Sequence, residues 1–195
     1  MRAYKDFIVC PVGDRYNNSK KISDKELILN TDIYNHQYVN RLAKVIATPL
    51  LFQSPIKVGD EVIVHHNVFR RWNDVKGRER NSRCYWKENK YIISMDQIYL
   101  RLNNKIESMP GYSFIKPIKN NDRFISGKEK PLVGIIKYSD GTFNKNDIIG
   151  FRPNTQCEDF IKGERLYRVL NKFITIKYEY QGNEEEYNPS WAQSS

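Results

Sequence analysis

A chain of 195 residues with 39% hydrophobic and 28% charged side chains has room for one large domain or two small ones, and is neither a disordered polyelectrolyte nor a fibre. Ile and Val together number 32 against 14 for Ala and Leu, with 25 aromatics beside them, a stock suited to pleated strands, so the predicted fold class is all-β. The net charge of +9 admits nucleic acid, an acidic partner or a merely basic surface, while no apolar run approaches the ~20 residues that cross a bilayer as a helix.

In chain order, Met1-Arg2-Ala3-Tyr4-Lys5-Asp6 opens without a signal-peptide core, and a cytoplasmic protein with no membrane partner is expected. The first predicted strand, Phe7-Ile8-Val9-Cys10-Pro11-Val12, recurs as Phe114-Ile115-Lys116-Pro117-Ile118, each closed by a proline that cannot donate to a ladder. Lys44-Val45-Ile46-Ala47 finds a counterpart in Gly134-Ile135-Ile136-Lys137. Lys57 to Val64 matches Lys145 to Gly150, both with a turn ending in Asp before a strand. Glu88 to Leu100 lines up without gaps against Gly163 to Thr175. The offsets shrink from 107 (Phe7 to Phe114) through 87 (Asp60 to Asp147) to 75 (Tyr91 to Leu166), which describes a duplication with shorter loops in the second copy. The boundary is placed near residues 103–109, where Asn, Pro and Gly punctuate the chain, giving domains 1–107 and 108–195. Two long connections stand apart from the regular strand spacing, 13–41 and 66–85, and such connections tend to carry function.

The order of these motifs resembles the GroES family of co-chaperonins, small β-barrel subunits that cap a chaperonin ring. Ile56-Lys57-Val58-Gly59-Asp60-Glu61-Val62-Ile63-Val64 resembles the family's V-K-V-G-D-x-V-[LI]-[FV], and Tyr91 to Leu100 its Y-L-[IV]-x-x-x-D-I-L-A. The resemblance implies two tandem GroES-like β-barrels, no catalytic residues, no cofactor, a homo-oligomeric ring, and a chaperonin as partner. In the family an apolar tripeptide in the loop after the first strand docks onto the chaperonin. Leu27-Ile28-Leu29 sits in that loop here, and the alternative is an ordinary strand of the barrel. The sequence departs from the family in several places, among them Asn146-Asp147 for a Gly-Asp pair and Gly150 within the matching strand. Lys25-Glu26 replaces a Gly pair, the roof segment shrinks to residues 48–55, and the second half has no clear tripeptide. Tandem and short-roofed versions are familiar from plastids and bacteriophages.

Other constellations are weaker. Cys10, Cys84 and Cys157 are odd in number and form no C-x-x-C pair, so reduced thiols are expected. His65-His66 continues a strand and is predicted to point to opposite faces, which excludes a shared metal; no metal site is expected. No phosphate-binding glycine loop and no nucleophile elbow occurs, and the chain is read as a non-enzyme. Glu184-Glu185-Glu186 reads as a solvated tail. Of the +9, +7 lies in residues 1–107. It is concentrated in Arg70, Arg71, Lys76, Arg78, Arg80 and Arg83, with Trp72 interleaved, a segment that reads as an unstructured solvated loop, with an acidic protein partner or nucleic acid as alternatives. The same barrels could also serve as a virion structural or assembly protein.

Overall fold

A computed structural model describes residues 2–17, 19–22, 25–28, 35, 38–103, 105–120, 128–179 and 186, with 19–22 and 25–28 described by backbone alone. The chain divides into two units, Met1–Ile106 and Glu107–Ser195. Both are all-β, as the Ile, Val and aromatic content predicts.

In the first unit the strands are β1 (Phe7–Pro11), β2 (Ser19–Ile22), β3 (Lys25–Ile28), β4 (Leu42–Ala47), β5 (Glu61–Val64), β6 (Arg71–Asn73), β7 (Glu79–Asn81), β8 (Tyr85–Lys87), β9 (Lys90–Ile93) and β10 (Ile98–Leu102); β11 (Ile106–Ser108) follows. The second unit holds β12 (Tyr112–Lys119), β13 (Glu129–Ser139), β14 (Ile148–Phe151), β15 (Cys157–Ile161), β16 (Glu164–Leu170) and β17 (Ile174–Tyr178). The main sheets run in the orders β11-β10-β5-β4-β1-β9-β8 and β15-β16-β12-β13-β14-β17. Read from opposite ends, six strands follow the same path twice: β10-β5-β4-β1-β9-β8 and β17-β14-β13-β12-β16-β15. Among the described residues neither sheet closes on itself by strand pairing, so of the two predicted tandem barrels the strand pairing shows two antiparallel sheets.

Pairing registers fix the repeat. Pro11 faces Ala43 as Pro117 faces Gly134, Val9 faces Val45 as Ile115 faces Ile136, and both ladders shift register at the same step, Ile8/Val9 and Phe114/Ile115. Ala43 faces Val62 as Gly134 faces Ile149. Arg101 faces Val62 as Lys177 faces Ile149, again with matching shifts beyond. The equivalences are therefore 106, 91, 87 and 76 along the chain. The sequence alignment is correct at Asp60 and Asp147 and one residue out at the other three anchors. Its error came from matching Phe7 to Phe114 where the proline and the bulge set the register. A slip of one residue would exchange the two faces of each strand. The corrected register matches Tyr91 with Tyr167, and the 3-10 turn Met95–Gln97 with Asn171–Phe173.

The Asp turn explains why one anchor survived. Asp60 accepts the Lys57 N–H on its carboxylate (2.9 Å) and the Val45 N–H on its carbonyl (2.9 Å). Asp147 does the same for Asn144 (3.1 Å) and Ile136 (2.9 Å). The preceding residue takes a left-handed backbone in both, Gly59 at φ 92° and Asn146 at φ 72°, and Asn is among the few residues that tolerate this. Opposite each carboxylate stands an equivalent cation, Arg101 (3.9 Å) and Lys177 (2.9 Å).

The cores lie against these ladders. Phe7, Val9, Ala43, Val62, Val64, Tyr91, Ile98 and Leu100 are almost wholly buried in the first unit. In the second, Ile115, Ile136, Ile149, Phe151 and Val169 form one cluster. Two polar clusters inside the second unit are built on ion pairs. Arg168 meets Asp159 at 3.2 Å, and Arg165 binds Glu129 (2.5 Å) and Glu158 while Tyr167 donates to Glu129 (2.5 Å). Burial and that bond push the Tyr167 phenol well above its ordinary range; burial opposes the Arg165 charge, but its two carboxylates win and raise its pKa. Glu186, expected in a solvated tail, instead bridges to Ile118 in β12 and pairs with the buried Lys116; Glu184 and Glu185 lie outside the described residues.

Two substitutions test this account. A Cβ at Gly134 would stand 2.3 Å from Ile115 Cγ2 and 2.7 Å from the Lys116 carbonyl oxygen, so Gly134→Ala is expected to destabilise the second unit by about 1–3 kcal/mol. Asp147→Ala, which removes the acceptor of the exposed Asn144 N–H and the partner of Lys177, is expected to cost about 0.5–1.5 kcal/mol. Urea unfolding followed by Trp-independent probes such as far-UV circular dichroism reads both. Wild-type stability in either variant would show that the turn and the close approach do not set the register.

Candidate functional site

The two long connections that sequence spacing singles out both leave the first unit, and the structure joins them at their bases. In the first connection, β2 and β3 form an arm: among the described residues they pair with each other, Ser19 opposite Ile28 and Lys20 opposite Leu27, as a two-stranded sheet separate from the main one. The alternative of an ordinary barrel strand is thereby excluded for residues 25–28. Leu27 and Ile28 lie on β3; Leu29 falls outside the described residues.

A tied neck holds the arm. Tyr16 bridges to Val39 and both are buried, Asn17 N–H donates to Tyr38 O (2.8 Å), and Asn40 N–H donates to Arg15 O (2.9 Å). The buried Asn40 amide donates to the carbonyls of Val12 (2.8 Å) and Asp14 (2.7 Å), and its oxygen accepts from Leu42 N–H (2.8 Å). One side chain thus satisfies three backbone groups where the chain leaves and re-enters the sheet, which a buried neck requires.

The basic segment is a β-hairpin and not the solvated loop expected from its composition. β6 pairs with β7, Arg71 opposite Asn81, Trp72 opposite Arg80 and Asn73 opposite Glu79. Asp74 organises the turn. One carboxylate oxygen accepts the N–H groups of Lys76 and Arg78 (both 2.9 Å), and the other accepts Nε of Arg78 and Arg80 (both 3.1 Å). The Arg78 backbone N–H, ahead of the other donors, holds the Asp74 carboxyl below its usual range. Gly77 supplies the left-handed backbone at the tip, φ 73°. Arg71 pairs with Glu79 at 3.1 Å. The composition hid this because the turn is built by Asp74, which sequence reasoning counted only as a charge.

Arg15 connects the two. Its Nε and a terminal nitrogen donate to Phe69 O (3.1 and 2.9 Å), and the other terminal nitrogen to Asn81 Oδ1 (2.7 Å), at the feet of β6 and β7. Its guanidinium also lies over the Tyr91 ring, 5.6 Å from the centroid. Burial lowers the pKa of Arg15 and raises that of Tyr91. Beside it, Arg71 N–H donates to Tyr16 Oη (2.8 Å) and its guanidinium covers the Tyr16 ring at 4.8 Å. Arg15, Tyr16, Asn40 and Asn81 have no sequence signature, because each has side-chain hydrogen-bond partners 26 to 66 residues away.

Of the cations named from sequence, Arg71 faces inward to Tyr16, while Lys76, Arg78, Arg80 and Arg83 are exposed. Trp72, on the opposite face from Arg71, is 47% exposed. Tyr85 and Trp86 on the edge strand β8 are exposed too, Lys87 lying over the Trp86 ring at 4.6 Å. His65 and His66 do not diverge as predicted: β5 ends at Val64 and the rings stack at 4.2 Å, with His65 Nδ1 accepting the Asn67 N–H. Among the described residues no group of three His, Cys, Asp or Glu side chains could hold a metal ion, and no helix is long and apolar enough to cross a membrane.

No protein-family model matches the chain, and no curated protein sequence does. The site is therefore read from its own geometry.

Asp74→Asn is expected to loosen the hairpin tip, with the Lys76 and Arg78 amides exchanging faster with solvent than in the wild type. Because the folded-state pKa of Asp74 is depressed, its contribution is present above the ordinary carboxylate pKa and lost as pH falls through the lower folded value. Wild-type protection of these amides should thus persist at pH 5 and fade only below about pH 4. Amide exchange by NMR reads both effects, and unchanged exchange in Asp74→Asn would remove Asp74 from its organising role.

Proposed function

We propose that the chain is a tandem GroES-like co-chaperonin. In this reading the two units are barrel-type subunits, the oligomer is a ring, and the arm of the first unit docks Leu27, Ile28 and Leu29 onto a chaperonin. The observation that carries it is the arm: a hairpin with its own small sheet, set on a tied neck between β1 and β4, at the place where the resembling family keeps its docking loop. The duplicated six-strand path supports the same reading, since a non-catalytic scaffold is copied whole while its connections diverge. In the second unit the corresponding connection, residues 120–128, is nine residues long, so docking is assigned to the first unit alone. Apolar residues on a separate hairpin gain affinity when a partner groove covers them, and a ring multiplies weak single contacts.

The test is co-sedimentation with a GroEL-type chaperonin in the presence of nucleotide, alongside sedimentation velocity of the protein alone. Wild-type protein is expected to sediment as a ring and to co-sediment with chaperonin, and the variant with Leu27, Ile28 and Leu29 all changed to Ser to lose at least ten-fold in affinity while keeping its oligomeric state. Failure to bind, or equal binding by the variant, would overturn the reading.

A further inference from the structure

We propose that the outward face of the β6–β7 hairpin binds single-stranded nucleic acid, with Trp72 as the stacking platform. Lys76 and Arg83 are exposed cations outside the hairpin's pairs to Asp74 and Glu79. Residues 70–83 hold six cations against Asp74 and Glu79, and both carboxylates are already committed, Asp74 to Arg78 and Arg80 and Glu79 to Arg71. The surplus is fixed in place rather than carried by a floppy loop. Asp74 sets the tip, and Arg15 locks the feet to the main sheet. Arg71 packs inward on Tyr16, so strand alternation turns Trp72 and its cross-strand neighbour Arg80 outward together. The Trp72 indole N–H is occupied by Asn81 O at 3.2 Å, which holds the ring in one orientation and leaves half of it exposed.

An exposed indole flanked by guanidinium groups has two ways to hold a nucleotide, the ring against a base and the cations against the neighbouring phosphates. An acidic peptide would use only the cations. Trp86, exposed on β8 immediately after the hairpin with Lys87 over its ring, sets a second indole beside a cation and favours the nucleic acid. Stacking with ionic contact, without base-edge hydrogen bonds, predicts sequence-tolerant binding with strong salt dependence.

The experiment uses the full chain and a fluorescein-labelled 20-mer of deoxythymidine, with anisotropy followed from 50 to 300 mM salt in the absence of any chaperonin. The wild type is expected to bind with an affinity that falls as salt rises. Lys76→Gln combined with Arg83→Gln, exposed positions outside the internal ion pairs, is expected to flatten the slope of log affinity against log salt by about 1.4, two phosphate contacts at about 0.7 each. Trp72→Leu is expected to weaken binding roughly ten-fold with the slope unchanged, while Trp72→Phe, which keeps a ring but loses the bond to Asn81, stays within about three-fold of the wild type, separating stacking from hairpin integrity. No binding at 50 mM salt would overturn the proposal. So would a wild-type affinity in Trp72→Leu, or competition by polyglutamate at equal charge as effective as by unlabelled oligonucleotide, which would assign the face to an acidic protein.

Discussion

One aspartate in each unit holds three strands in register. Asp60 takes a backbone N–H from its own turn and another from β4, and faces Arg101 on β10; Asp147 repeats all three relations with Asn144, Ile136 and Lys177. Each bond is modest, worth about 1 kcal/mol, and the cations are partly exposed, so the ionic component is small. Their joint effect is geometric. With the turn fixed, β5 can meet β4 and β10 only one way, and the buried faces of Val62 and Ile149 follow. The bulges, the 3-10 turns and the closing prolines then fall at equivalent places in both units.

The first unit departs from the second in its connections rather than in this frame. Its arm and its basic hairpin grow from two separate connections of the sequence, yet they share a base in which Arg15 spans from the arm's neck to the feet of β6 and β7. Two features that look independent in sequence are one assembly in space. A partner that engages the arm would therefore meet a cationic hairpin tied to the same neck, and replacing Arg15 would loosen that tie while Asn40 still holds the neck.

Legibility in the sequence followed range. The all-β content was written in Ile, Val and aromatic abundance, and the duplication in motif order, because both are local or repeated signals. The Asp60–Asp147 equivalence was readable since a Gly or Asn before an Asp is demanded by backbone conformation. The neighbouring anchors slipped by one residue because apolar similarity, Phe for Phe, outweighed the proline and bulge that set the pairing. The basic hairpin was illegible for a different reason. Its strands are three residues long and charged, and its stability comes from Asp74 and from Arg15 far upstream, neither of which leaves a periodic trace. His65 and His66 misled through an assumption of continued alternation past the end of β5.

The lengths of the connections after the first strand of each unit carry a further meaning in polymer terms. Thirty residues separate β1 from β4, and nine separate β12 from β13. Since closure entropy grows only with the logarithm of loop length, the longer connection raises the free energy of folding by about 1 kcal/mol over the shorter. The neck recovers a comparable amount through Asn40 alone, whose three hydrogen bonds shorten the effective loop to the stretch beyond Tyr16 and Val39. The frame can therefore carry an appendage a quarter of its unit's length at almost no thermodynamic expense, and sequence within the arm is left to vary with what it touches.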